Sequence, residues 1–250
     1  MKENFPDAVE AIEAPEGAAF VLACEHAGRE IPAPLGGLGL REEDLRDHIA
    51  WDIGAADLTR RLAALLGAAA VLQRYSRLLC DCNRAPGAPG SIVERVDGRD
   101  IPGNRGLAEE ERQRRFDGLY HPFHAALGAA LEAHPGAALV TIHSFTPLYE
   151  GRRRSLHAGI IFDGENAFAG RLAAILAAEE GVDCRINAPY APDDGVTHTL
   201  KRHGAARGIP HAMIEVRNDL LEDEAGRALW AQRLARALRG ALDESSGQAG

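Results

Sequence analysis

Two apolar runs in this chain end in histidine. "FVLACEHAG" closes a strand-forming run on Glu25 and His26, and "LVTIHSFTP" closes another on His143. An imidazole at the end of a buried strand is either core filling or a ligand, and two at matching ends suggest one shared site. A hydrolytic zinc ion takes three nitrogen or oxygen ligands and keeps one position open for water. His26 and His143 supply two of these. Asp52 in "HIAWDIG" is the better carboxylate for the third, because strand alternation turns Glu25 to the face opposite His26. The bland alternatives are a turn residue at 26, a core residue at 143 and a helix N-cap at 52. Glu215 in "MIEVRND" ends a third apolar run. A buried carboxylate beside a metal suits a general base acting on water; its bland alternative is an ion pair with Arg217, two positions on.

Arginines gather in two further stretches. "RYSRLLCDCNRAP" carries Arg77, Asn83 and Arg84, with Asp81 placed to orient an arginine, and "YEGRRRSLHAG" adds Arg152, Arg153 and Arg154. A guanidinium grips a carboxylate through two parallel hydrogen bonds. Arg77, Asn83, Arg84 and Arg154 are therefore expected to bind substrate, and Arg217 or the 152–154 loop to stabilise an oxyanion. His124 in "LYHPFH" is a candidate substrate contact, and His121 ordinary surface. No G-x-S-x-G elbow and no glycine-rich phosphate loop occurs, so a serine nucleophile and a nucleotide cofactor find no support.

The elements that must position these residues alternate strand and helix. Strands are predicted at 18–24, 70–72, 78–80, 139–143, 156–162, 182–186 and 211–216, and helices at 41–66 with a break near Asp52–Gly54, at 107–134 with Pro122 marking a kink or a join between two helices, at 167–180, at 197–208 and at 224–242. This pattern predicts a single-domain three-layer α/β sandwich, a mostly parallel sheet with helices on both faces, whose ligands bind beyond the carboxyl ends of the strands. The domain is expected over 18–242, after a polar lead-in at 1–17 and before a disordered tail at 243–250. The loop 83–106, rich in Gly, Pro and Arg, is too long for a connector and reads as functional. A net charge of −9 argues against nucleic acid and anionic membranes as partners. No run reaches membrane-spanning length, and four scattered cysteines read as reduced thiols, so a cytoplasmic location is expected.

With "CEHAGREIP", "HIAWDIGA", "RYSRLLCDCNRAP", "DIPGN", "HPFH", "TIHSFTP", "NAPY" and "IEVRNDLL" in this order, the chain resembles the N-formylglutamate amidohydrolase family from about Val21 to Leu238. The resemblance implies a fold similar to the zinc carboxypeptidases and hydrolysis of an N-formyl acidic amino acid in amino-acid catabolism. It places His26, Asp52 and His143 as zinc ligands and Glu215 as general base, and likens Asn83-Arg84 to a carboxylate-gripping pair. The His-x-x-Glu spacing of the carboxypeptidases is absent, since Arg29 stands at the expected glutamate. The "EHAG" and "HSFTP" versions also differ from the deformylases of histidine degradation. A deacylase or carboxypeptidase-like hydrolase for another N-acyl amino acid, or a non-catalytic ligand-binding member of the fold, are the alternatives.

Overall fold

The computed structural model describes residues 5–246. Seven strands form one sheet: β1 (Val9–Ile12), β2 (Phe20–Cys24), β3 (Ala69–Gln73), β4 (Ala138–Phe145), β5 (Ala158–Ile161), β6 (Cys184–Ile186) and β7 (His211–Arg217). Across the sheet they run β1-β3-β2-β4-β7-β5-β6. The four central strands β3, β2, β4 and β7 are parallel. β1 lies antiparallel on one edge; β5 lies antiparallel to β7 and parallel to β6 on the other side. The sequence explains this burial. β2, β3 and β4 are near-continuous apolar runs with every residue buried, as strands covered on both faces must be.

The helices, of which α1 (Glu42–Arg46) and α3 (Glu109–Arg115) are short, supply the cover. On one face α2 (Ala55–Leu66), α5 (Ala167–Ala177) and α6 (Glu224–Ser246) press Leu58, Leu62, Leu172, Leu176, Leu234 and Leu238 toward Leu22, Val140 and Ile214. On the other, α4 (His121–Ala133) and the turn leading into it press Phe116, Leu119, Phe123 and Leu127 toward Val21, Val71, Leu139 and Met213. In α2 the buried positions 55, 56, 58, 59, 62 and 63 form one stripe, which is why that segment is a helix docked by one side. The predicted three-layer sandwich with a mostly parallel sheet is the observed fold.

The local differences have physical reasons. Residues 9–12, inside the expected lead-in, form the edge strand β1, and Phe5 and Ala8 are buried beside it. The predicted strand at 78–80 is a turn: Ser76 Oγ accepts from Leu78 N and Leu79 N donates to Ser76 O, a local competition that serine often wins over a ladder. Pro122 marks a join between helical segments, the second of the two expected alternatives. The chain widens into a π-turn over Phe116–Tyr120, and Pro122 falls in the first turn of α4, where its missing N–H is tolerated. β4 continues two residues past His143 to Phe145. α6 runs on to Ser246; positions 247–250 of the expected tail and 1–4 of the lead-in lie outside the described residues.

Candidate active site

Side-chain alternation puts Glu25, His143 and Glu215 on one face of three adjacent parallel strands. Glu215 is the register partner of His143, and Glu25 lies one residue past the end of β2. His26 sits in the turn that follows. Gly28 holds that turn tightly against the end of β3: a Cβ there would lie 1.8 Å from the carbonyl oxygen of Arg74, so any larger residue would push the turn off the sheet. Asp52 occupies the irregular segment before α2. Its N–H donates to His26 O at 2.9 Å, and Ser144 clasps the next residue through Oγ to Ile53 O at 2.7 Å. Two strand ends therefore fix the loop that carries Asp52.

Asp52 is the hub. Its Oδ2 lies 2.8 Å from His143 Nδ1 and 3.3 Å from His26 Nδ1, and also accepts from Ser144 N. Its Oδ1 accepts from Arg77. It does not cap α2, where the N-cap position belongs to Gly54 with no side-chain cap. Each imidazole meets a second carboxylate at its other nitrogen: His26 Nε2 is 2.7 Å from Asp81 Oδ1, and His143 Nε2 is 3.1 Å from Glu25 Oε2. Arg77 also donates to Asp81 Oδ2 at 2.7 Å. Three carboxylates thus face two imidazoles and one guanidinium, all but Arg77 no more than 5% exposed.

Burial alone would drive each of these groups to its neutral form. The opposite charges win. Burial raises the Glu25 carboxyl, but the His143 imidazole overcomes it and holds the pKa at about 2. Asp52 is held below the carboxylate range by His26 and His143, and Asp81 by His26 and Arg77, against the same burial. Burial pulls both imidazoles down, yet their carboxylate neighbours raise His26 and hold His143 well above its ordinary value. Glu215 goes the other way: burial lifts it to about 7, with the His143 charge opposing.

One cavity of about 490 Å³ opens over this cluster. His26, Asp52, His143, Glu215, Arg77, Asn83, Arg84 and Arg154 all line it, so the structure brings together eight of the expected residues. Two do not join them. His124 is buried elsewhere, with Nε2 2.8 Å from Cys82 O and Nδ1 2.9 Å from His203 Nε2, and burial pushes its pKa down to about 3. It braces the segment before Asn83. Arg217 turns to Asp219 and to the carbonyls of Ser155 and Leu156, so it pairs neither with Glu215 nor with the cavity.

The arginines and Asn83 divide their work. Asn83 reaches across to the 196–199 segment, donating to Val196 O and accepting from Thr199 N, which fixes the cavity wall. Arg77 is held by Asp52 and Asp81. Arg84 and Arg154 have no carboxylate partner among the described residues: Arg84 reaches only its neighbour's carbonyl, Asn83 O at 3.5 Å, and Arg154 donates to Tyr190 Oη while stacking on Phe145, Tyr149 and Tyr190. Burial lowers the Arg84 pKa, which marks a cation short of compensating charge. Sequence reasoning missed Glu25, the contact of Asp81 with His26, and Tyr190. The alternation Val21, Ala23, Glu25 was the available signal for Glu25.

His26, Asp52 and His143 each offer a ligand atom, all within 4.8 Å of one another and all buried, an arrangement able to hold a metal ion. Fold and site together define a hydrolase acting on amides. Residues 18–222 match the N-formylglutamate amidohydrolase family, and the chain belongs to that family. A gene product of Agrobacterium tumefaciens of known crystal structure is 40% identical over 96% of each chain, with a TM-score of 0.91. An N-formylglutamate amidohydrolase from Ralstonia eutropha is 20% identical over 96% of this chain and 98% of its own, with a TM-score of 0.72, a likeness of fold. No curated protein sequence matches the chain.

Proposed function

We propose that this chain is a zinc-dependent amidohydrolase that removes the acyl group, formyl in the simplest case, from an acidic amino acid such as N-formyl-L-glutamate. One observation carries the reading. The cavity over the His26–Asp52–His143 group also holds two arginines that lack carboxylate partners among the described residues, so it is built to receive an anionic amide.

The residues suit a divalent metal. His26 and His143 turn Nδ1 toward Asp52 and Nε2 toward Asp81 and Glu25, the carboxylate–histidine arrangement that fixes ring orientation in metal sites. His143 Nε2, both Glu25 oxygens and Glu215 Oε2 are buried without a hydrogen-bond partner of good geometry. Zinc bound there supplies Lewis acidity, which brings the pKa of water from 15.7 toward roughly 7.

The chain's own residues do the rest. Arg84 holds a substrate carboxylate, with Arg154 available to a second. Arg77 holds Asp52 and Asp81 in place and helps keep Asp81 ionised. Glu215, poised near pH 7, takes a proton as water adds to the acyl carbon, and passes it to the nitrogen as the C–N bond breaks. One water is consumed, and a carboxylic acid and a free amine leave. Four free cysteines suit a reducing, cytoplasmic setting, and release of a free acidic amino acid suits amino-acid catabolism. The test pairs elemental analysis with formate and glutamate release from N-formyl-L-glutamate. Turnover that scales with zinc content is expected; full turnover in a metal-free sample, or none in a zinc-loaded one, overturns the proposal.

A further inference from the structure

The motif "NAPY", residues 187–190, has no role in the chemistry described so far, yet it is among the most tightly anchored segments around the cavity. It follows β6 at the far side of the sheet. Asn187 takes a positive φ of 50°, a left-handed conformation that asparagine tolerates, and the chain reverses there. Asn187 N donates to Ile160 O, and its side-chain oxygen accepts from Phe162 N. The next residue lies flush on β5: a Cβ at Gly159 would sit 1.7 Å from Ala188 O. Gly159 is the register partner of Glu215. The motif is therefore fixed to the sheet beside the expected base, and the chain then returns Pro189 and Tyr190 to the cavity wall.

Tyr190 arrives there with one hydrogen-bonding valence filled. Arg154 donates to its oxygen at 3.2 Å and lies over its ring at 4.9 Å. The phenol oxygen is thus an acceptor toward Arg154, and its own proton has no acceptor among the described residues. Burial pushes its pKa up to about 12, so the proton is retained at working pH. Arg154 is in turn wedged between Tyr149, Tyr190 and Phe145, which keeps the guanidinium from following the solvent. A neutral O–H donor polarised by a cation, rigidly held and facing a cavity that also contains the base, is the arrangement that stabilises charge developing on an acyl oxygen.

We propose that Tyr190 is a catalytic residue of this site, a hydrogen-bond donor to the carbonyl oxygen of the scissile amide as it becomes an oxyanion, with Arg154 its positioning residue. Sequence reasoning gave this place to Arg217 or to the 152–154 loop; Arg217 is engaged outside the cavity, and Arg154 of that loop acts here through Tyr190. No bond to Tyr190 forms or breaks: the phenol keeps its proton, the attacking water's proton goes to Glu215, and the donor bond shortens as negative charge builds. The proposal rests on the amide-hydrolysis reading above.

The experiment is Tyr190→Phe in the zinc-loaded, full-length enzyme, with N-formyl-L-glutamate as substrate. The ring that stacks on Arg154 is kept and only the hydroxyl is lost. A kcat lower by roughly 10²-fold, with KM within a factor of about two and zinc content unchanged, is expected for an oxyanion donor. A second measurement uses the phosphonate analogue of the tetrahedral intermediate. Its affinity should fall by a factor similar to that in kcat, while binding of the product L-glutamate holds. Unchanged kcat, or a loss confined to KM and shared by L-glutamate, overturns the role of Tyr190 and leaves the amidohydrolase reading intact. A wild-type enzyme inert toward N-acyl acidic amino acids overturns both.

Discussion

Replacing Arg84 by glutamine probes the substrate class most directly. Arg84 lines the cavity, is half-buried, and touches no carboxylate among the described residues. Burial has already stripped part of its hydration and lowers its pKa. A substrate carboxylate therefore meets a cation whose desolvation cost was met on folding. A charge-assisted hydrogen bond of this kind contributes about 1.5–3 kcal/mol, which converts to roughly a 10- to 150-fold rise in KM when it is removed. The assay is steady-state formate release from three substrates: N-formyl-L-glutamate, N-formyl-L-glutamine, and the α-amide of N-formyl-L-glutamate. The two amides each delete one carboxylate. In the variant, the substrate lacking the carboxylate that Arg84 grips should show no further loss, whereas the other two should show the full rise in KM at nearly constant kcat. Folding should not suffer, because the side chain makes a single long bond to a neighbouring carbonyl. Equal losses on all three substrates, or a loss carried by kcat alone, would refute the carboxylate clamp.

Three other outcomes follow from the same geometry. His143→Ala should lose bound zinc together with activity, because it removes one donor and leaves Asp52 and Glu25 without their shared partner; a purified variant with stoichiometric zinc would discard this ligand set. Glu215→Gln should retain zinc and lose about 10²- to 10⁴-fold in kcat; since Glu215 is raised to about 7 by burial, wild-type activity should climb as pH rises through neutrality, and that limb should vanish in the variant. Zinc affinity should increase with pH. The carboxylates beside His26 and His143 raise both pKa values and so favour the protonated rings that compete with a metal, and a rising pH removes the competing protons. Calorimetry in buffers of different ionisation enthalpy counts the protons released, and none released would contradict this competition.

The sequence carried most of the fold, because burial writes itself into apolar runs. β2 and β4 are covered on both faces and read as unbroken hydrophobic stretches. β1 did not, since a partly exposed four-residue edge strand, "VEAI", has little to distinguish it from a coil. His26 and His143 stood out as polar side chains at the ends of such runs, and Asp52 as a carboxylate at a helix interruption; the structure brings the three within 4.8 Å of one another. The division of labour among the arginines was not. Arg77, Arg84 and Arg217 are the same residue type in similar company, and only the fold decides that Asp81 captures the first, Asp219 the third, and no carboxylate among the described residues the second. Glu25 was set aside because alternation separates it from His26. The same alternation aligns it with His143 on the neighbouring strand, a relation that requires knowing which strands are neighbours.

The loop carrying Asp52 is fastened by main-chain and hydroxyl bonds to His26, Ser76 and Ser144, and both rings are clamped by carboxylates of the chain itself. The donors are therefore held in place by the polypeptide's own bonds. A chelator should empty such a nest without unravelling the chain, and a different divalent ion should enter it with no refolding step. Which ion occupies it in a cell is then decided by ligand chemistry and by supply rather than by any reshaping of the polypeptide.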